Sequence, residues 1–342
     1  IRNYVQEFED AIVEPNRTNP NTGRHYTEYI DRNAWVDHGL LNILAANVDG
    51  LRLSTFMHKP RGGKLIAGPI WDFDLTMNSR DARSADPLRW SANGFGSPHA
   101  TDLLTWGWWK YLYADPDFWQ RFVDRWSELR EGPMSDASMS EIIATYHALL
   151  AEAAVRNYEK WNSQDVIPRD GPDADNVRTY LDEMDIMRTW LVQHTGWIDS
   201  QLVAKPARSP AGGPAGSVTV TAGTGTIYYT LDGSDPRLPG GNVNPAALTL
   251  VSGGSVTVSN GILLTARVKS GALWSAPSAG YYFTTPPAGP GAIVVSELNY
   301  HPGAPSPEEL SAGLNDAEAF EFIELMNISN GTVDLGGSHF TA

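Results

Sequence analysis

The composition of this chain changes abruptly near Pro206, and that break constrains the fold more than any other feature. All but one of its 12 tryptophans, Trp274, precede the break, in segments whose apolar residues recur mostly with helical periodicity. The stretch KPARSPAGGPAGS, residues 205 to 217, has the Pro, Gly and Ala content of a flexible linker. Beyond it, SVTVTA, TIYYTL, SVTVS, LLTARV and AGYYFTT alternate with Gly, Asn, Asp and Pro up to residue 285, the spacing of a small β-sandwich. PPAGPG at 286 to 291 reads as a second linker, and AIVVSELNY and FEFIELMN read as strands of a third module that is only begun by Ala342. The expected fold class is α+β multidomain: a mostly helical region over 1–203, then two small all-β sandwich modules over 217–285 and 292–342.

Charge narrows the partners. With 25 basic and 40 acidic residues the net charge is -15, which repels phosphate backbones and anionic lipid, so no nucleic-acid partner is expected. No segment approaches the roughly 18 continuous apolar residues of a membrane span, so none is expected here. The opening residues IRNYVQEFED look like neither a signal peptide nor a natural start, and the chain reads as part of a longer protein. With no cysteine, disulfides and thiolate metal sites are excluded, which suits a secreted bacterial protein as well as a cytosolic one.

Two acidic sites in the first region carry the candidate chemistry: Asp49 in NVDGLRLSTF, and Asp72 with Asp74 in GPIWDFDLTM. A helix is predicted from a polar start near Asn33 to about Asn47, with Trp35, Val36, Leu40, Leu41, Ile43 and Leu44 on one face. LRLSTFM then alternates as a strand does, Pro60-Arg61-Gly62-Gly63 reads as a turn, and KLIAGPIWDFDL as the returning strand. Folding that hairpin about Arg61 and Gly62 brings Asp49 opposite Asp72–Asp74, with cross-strand neighbours about 5 Å apart. Magnesium takes hard oxygen ligands, often only one or two carboxylates, and fills the rest of its shell with water and phosphate oxygens. A second carboxylate can then accept the proton of an attacking hydroxyl, and a polar side chain five residues after it can support the metal. Asp49 and Ser54 have that spacing. Protein kinases place an Asn there, then a hairpin and a metal Asp before Phe-Gly, where this chain has Asp72-Phe73-Asp74.

Plainer readings stand beside these. Asp49-Gly50 has the form of a turn pair after a helix, Asp72 and Asp74 of helix caps or structural calcium ligands, and Ser54 of an ordinary hydrogen-bonding residue. Asn47 suits a helix terminator as well as a partner of the Asp49 loop, and His58 and Lys59 at the turn are expected to face solvent. The later helices read as structural. TDLLTWGWWKYLYADPDFWQRFVDRWSELREGP breaks at Asp115-Pro116 and sets Trp106, Trp109, Leu112, Trp119, Phe122, Val123 and Trp126 on core faces. Helices follow over about 138–161 and 174–203, with Arg156 and Trp161 placed to brace the lobe. No serine nucleophile elbow, HExxH zinc motif or P-loop occurs.

At NVDGLRLSTF, KPRGGKL and GPIWDFD the chain resembles the CotH family of spore-coat-type secretory kinases, which are atypical protein kinases. The resemblance extends less sharply through the Trp-rich helices and REGPMS to about residue 203. It implies a kinase-like C-lobe with a β-hairpin active site. Asp49 would be the catalytic carboxylate and Asp72 the principal metal ligand, with Asp74 and Ser54 assisting at the metal and nucleotide. ATP with Mg2+ or Mn2+ would be the cofactors, and a protein Ser or Thr hydroxyl the acceptor. Ser54 departs from the expected Asn, and the amino-terminal lobe with its nucleotide-binding Lys is not in this sequence, so this stretch alone is expected to be inactive. The alternative is a surface-binding or scaffold protein with a degenerate kinase domain. IYYTLDGSDPR, residues 227 to 237, is similar to the carboxy-terminal β-sandwich of chitobiases and hexosaminidases, and the last module to the first half of a lamin-tail domain, with Glu297, Glu321 and Glu324 as sheet-edge charges. Such modules imply a bacterial extracellular or cell-envelope protein, with surface polysaccharide or protein as their partner.

Overall fold

The computed structural model describes residues 1–79, 81–91, 107–161, 179–285, 288–336 and 338–340. The protein is α+β, with seven α-helices and several small sheets among these residues. The first helix, α1 (Arg2–Val13), packs Phe8, Ala11 and Ile12 into the main helical core. Helix α2 (Arg32–Leu44) starts at Asp31, whose carboxylate accepts from the Ala34 amide at 3.0 Å. Trp35, Val36, Leu40 and Ile43 of α2 are buried, while Leu41 and Leu44 are partly buried.

The hairpin is much shorter than its sequence alternation predicts. It has two residues per strand, β1 (Met57–His58) and β2 (Ile66–Ala67), paired antiparallel. Residues 51–54 form a turn, because the amides of Arg52, Leu53 and Ser54 all fold back on the Asp49 carbonyl at 2.8–3.2 Å. Helices α3 (Gly107–Tyr113) and α4 (Pro116–Arg130) follow, broken where Asp115 caps α4 with Pro116 in its first turn. Trp109, Leu112, Phe122, Val123 and Trp126 are buried and Trp119 packs against them; Trp106 lies outside the described residues. Helices α5 (Asp136–Trp161) and α6 (Tyr180–Gln201) form a pair, and the start predicted for α6 near Ala174 falls outside the described residues. Arg156 and Trp161 do not brace the lobe: both are exposed, and Arg156 pairs with Glu152 of its own helix at 2.8 Å. His194 ties α6 to α2, with Nε2 2.8 Å from the Ile43 carbonyl and Nδ1 2.7 Å from that of Pro87.

The segment with linker composition is ordered rather than flexible. It supplies β3 (Ala207–Ser209), β4 (Gly213–Pro214) and the first residues of β5 (Gly216–Thr221). Arg208 fixes it by donating to Ser278 Oγ at 3.0 Å and to Tyr282 Oη at 3.2 Å. Strands β6 (Thr226–Thr230), β7 (Leu248–Leu250), β8 (Gly254–Val258), β9 (Ile262–Ser270), β10 (Leu273–Trp274) and β11 (Ser278–Phe283) complete two sheets. One runs β3-β5-β8 and the other β4-β11-β9-β6-β7, with β10 on β9. Within the second, β4 and β11 are parallel, with Gly213 opposite Tyr282 and Pro214 opposite Phe283. Val218 and Val220 from one sheet and Ile227, Leu264, Val268 and Tyr282 from the other share a single core.

This β unit is docked on α4. Arg267 of β9 makes paired hydrogen bonds to Asp124 at 2.6 and 2.9 Å and to Asp235 at 2.7 Å each, while Arg237 and the Gly240 amide grip Asp117. The remaining strands are β12 (Ile293–Asn299) and, after α7 (Pro307–Ser311), β13 (Phe322–Asn327), an antiparallel pair that sets Glu297 opposite Glu324. Glu321 is not a strand charge; its carboxylate accepts from the His301 amide at 3.0 Å.

Candidate active site

The site begins where α2 stops. Ala46 turns into the left-handed region at φ 44, and the Asn47 amide donates to the Asn42 carbonyl at 3.0 Å. Asn47, 2% exposed, accepts from the amides of Asp49 at 3.1 Å and Gly50 at 3.2 Å through Oδ1, while its Nδ2 donates to the Asp72 carbonyl at 3.3 Å. Gly50 is wedged beneath, and Thr55 Oγ1 donates to its carbonyl at 2.8 Å. Asp49 is thus held by its backbone on a tight turn, its side chain partly buried.

Ser54, at the end of that turn, donates from Oγ to Asp72 Oδ2 at 3.1 Å. Asp72 is exposed and has a left-handed backbone, φ 65, a conformation that Asp tolerates better than most residues. The chain then coils tightly, with Thr76 Oγ1 donating to Phe73 O at 2.7 Å and Ser79 Oγ to Asp74 O at 2.6 Å. The Met77 amide returns to the Ala45 carbonyl at 3.0 Å, a second tie between this loop and the end of α2. Asp74 is exposed. The structure therefore brings Ser54 and Asp72 into contact and ties the Asp49 turn to Asp72 through the backbone. That replaces the cross-strand opposition expected from a long hairpin. Among the described residues, the only three metal-capable groups within 4.8 Å of one another are the exposed His301, Glu318 and Glu321, so Asp49, Asp72 and Asp74 do not close on a single point.

Two features escaped sequence reasoning. Arg83 is held by Asp81 through Nε at 2.9 and 2.8 Å, in a turn over Ala82–Ser84. Its hydrogen bond to Asp81 raises its pKa most, and the charge of Asp49 adds a smaller push. The signal was a bare Asp-x-Arg in a loop, with no periodicity to mark it. The second is an apolar rim: Phe56 and Trp71 meet edge to face at 6.2 Å, both exposed, with Leu53 and Ile70 exposed nearby in sequence. Of the hairpin residues, His58 is exposed, whereas Lys59 lies over the Tyr4 ring at 4.4 Å.

A family model described as CotH kinase protein matches residues 1–198, which takes in both aspartate motifs, helices α1 to α5 and most of α6. The chain belongs to the CotH kinase family. Comparison with curated proteins and with solved structures returned no match. In this CotH chain the matched region ends inside α6, before the first strand of the docked β unit.

Proposed function

We propose that this protein is a CotH-type protein kinase that transfers the γ-phosphoryl group of ATP to a protein Ser or Thr hydroxyl. The observation that carries the reading is the 3.1 Å hydrogen bond from Ser54, five residues after Asp49, to the Asp72 carboxylate. It joins the two motifs whose spacing matches a proton acceptor and a metal ligand. Asp49 accepts the proton of the attacking hydroxyl, and the turn that fixes its backbone limits where that hydroxyl can approach. The donors near Asp72 suit Mg2+ or Mn2+: Asp72 and Asp74 are exposed carboxylates and Ser54 contributes a hydroxyl, an all-oxygen set. Asp72, with Asp74 and Ser54, would hold the ion, which would supply positive charge to the nucleotide phosphates. Arg83, held by Asp81, adds a cation that the Asp49 charge influences.

The same reading puts the protein outside the cell or in the cell envelope of a bacterium. It treats the β unit as a chitobiase-type module and the segment from Ala292 as lamin-tail-like, with surface polysaccharide or protein as partners. The support is the resemblance of those segments. A second reading, a scaffold with a degenerate kinase domain, draws on Ser54 standing where kinases carry Asn. The two separate in the full-length protein, assayed for phosphate incorporation and for a Mg2+-dependent thermal shift with ATP. The kinase reading expects a shift, and incorporation that falls at least about 100-fold in Asp49→Asn and Asp72→Asn. Equal incorporation by wild type and both variants removes the catalytic assignment, and absence of any shift favours the scaffold.

A further inference from the structure

We infer that Asn47 is the positioning residue that sets the separation between the candidate base Asp49 and the candidate metal ligand Asp72. This deepens the kinase reading and rests on it. One buried carboxamide serves both elements, bonding to the backbone of each motif. Its oxygen takes two successive amides, Asp49 at 3.1 Å and Gly50 at 3.2 Å, and its nitrogen reaches the Asp72 carbonyl at 3.3 Å, 25 residues along the chain.

The chemistry of the amide is specific. Holding two N–H groups and, on the far side, one C=O at once requires an acceptor and a donor on separate atoms of one short side chain, which Asn has and ionised Asp, Ser or Ala lack. The further ties between the two motifs are of different kinds. Ser54 grips the Asp72 side chain where water competes, and Met77 anchors the loop five residues later through the Ala45 carbonyl. The Asp72 carbonyl points at Asn47 in a backbone conformation that costs an L-residue energy, so the bond from Asn47 helps hold a state the chain would otherwise relax from. Asn47 is itself anchored, since its own amide closes on Asn42 at the end of α2. The position of both carboxylates is thereby referred to one rigid helix end.

Two variants and one control test the role in the intact protein. Asn47→Ala deletes all three bonds. Asn47→Asp keeps an acceptor for the two amides but turns an oxygen toward the Asp72 carbonyl and adds a negative charge beside Asp49 and Asp72. The control, Val123→Ala, cuts the buried core at a distance from the site. Mn2+ affinity is read by calorimetric titration without nucleotide, and amide exchange by mass spectrometry. We expect Asn47→Ala to weaken Mn2+ binding about 10-fold, the size of effect seen when an outer partner of a metal ligand is lost, and to speed exchange at residues 49–50 and 72–74 together. Asn47→Asp should speed exchange at 72–74 more than at 49–50 and move the acid limb of Mn2+ binding to higher pH. Val123→Ala should lower thermal stability and leave Mn2+ affinity and both segments unchanged. Unaltered Mn2+ affinity in both Asn47 variants, or faster exchange confined to one segment in Asn47→Ala, overturns the inference and leaves the kinase reading standing. Failure of the wild type to bind Mn2+ overturns both.

Discussion

A side chain at position 50 would put its Cβ 1.8 Å from Asn42 Oδ1 and 2.6 Å from Asn47 Nδ2, so the Asp49 turn can close on α2 only because Gly50 has none. The requirement is one of space, not of backbone conformation. Gly50→Ala should cost about 1–3 kcal/mol in urea unfolding, as overpacking of tight sites does. By contrast Gly196→Ala, in α6 with open space around the added methyl, should gain about 0.5–1 kcal/mol. At this scale the sequence was informative about residue types and blind to geometry. Asp49-Gly50 reads as a turn pair or as a catalytic loop, and the structure shows a turn closed on the Asp49 carbonyl. Asn47 was legible as a helix terminator or a partner of the Asp49 loop, but its bond to Asp72 joins residues 25 apart, and no local pattern records such a contact. The Asp81–Arg83 pair was missed for a related reason, since two loop residues carry no period.

Helix α2 and its neighbours were the most readable elements, because a long apolar stripe at helical spacing fits a helix packed on a core and little else. The hairpin was over-read. In LRLSTFM the alternation of apolar and polar residues comes from a turn that buries Leu51 and leaves Leu53 64% exposed, and alternation alone does not distinguish the two. The interlock of α2 with α3 and α6 also gives stability a pH dependence. Burial pulls the His38 ring, stacked on Trp109 at 5.8 Å, below its ordinary value of 6.5, with the Gly50 backbone opposing by less. His194 is likewise lowered by burial, which outweighs the two carbonyls that favour its charged form. Both rings take up protons less readily in the folded chain than in the unfolded one, so the unfolded state binds more protons as the pH drops through about 6.5, and stability falls. Unfolding free energy should therefore decline from pH 7 to pH 5, and His38→Gln should flatten that slope. An unchanged slope in the variant would show that His38 is not among the groups responsible.

Across the whole molecule, the junction of helices and strands is where composition misled most. Pro, Gly and Ala near residue 206 mark where α6 gives way to β3, yet the same residues pair into both sheets, and the β unit is bolted to α4 by charge. Arg267 is 3% exposed in its side chain and sits between Asp124 and Asp235. Desolvation alone would lower its pKa, but the two carboxylates outweigh that and keep it charged. Because those carboxylates are one-third to one-half exposed, they can rehydrate when the arginine is lost. Arg267→Ala should then cost about 2 kcal/mol, below the 3–5 typical of a fully buried pair. Calorimetry should show one cooperative transition for wild-type residues 1–285 and two separated transitions in the variant. One feature of the β unit bears on a different kind of load. Its early strand β4 and its last strand β11 lie side by side and run the same way, so tension applied along the chain through this unit pulls those strands past each other. Their hydrogen bonds are then strained together in shear instead of opening one at a time, the geometry that best resists mechanical force.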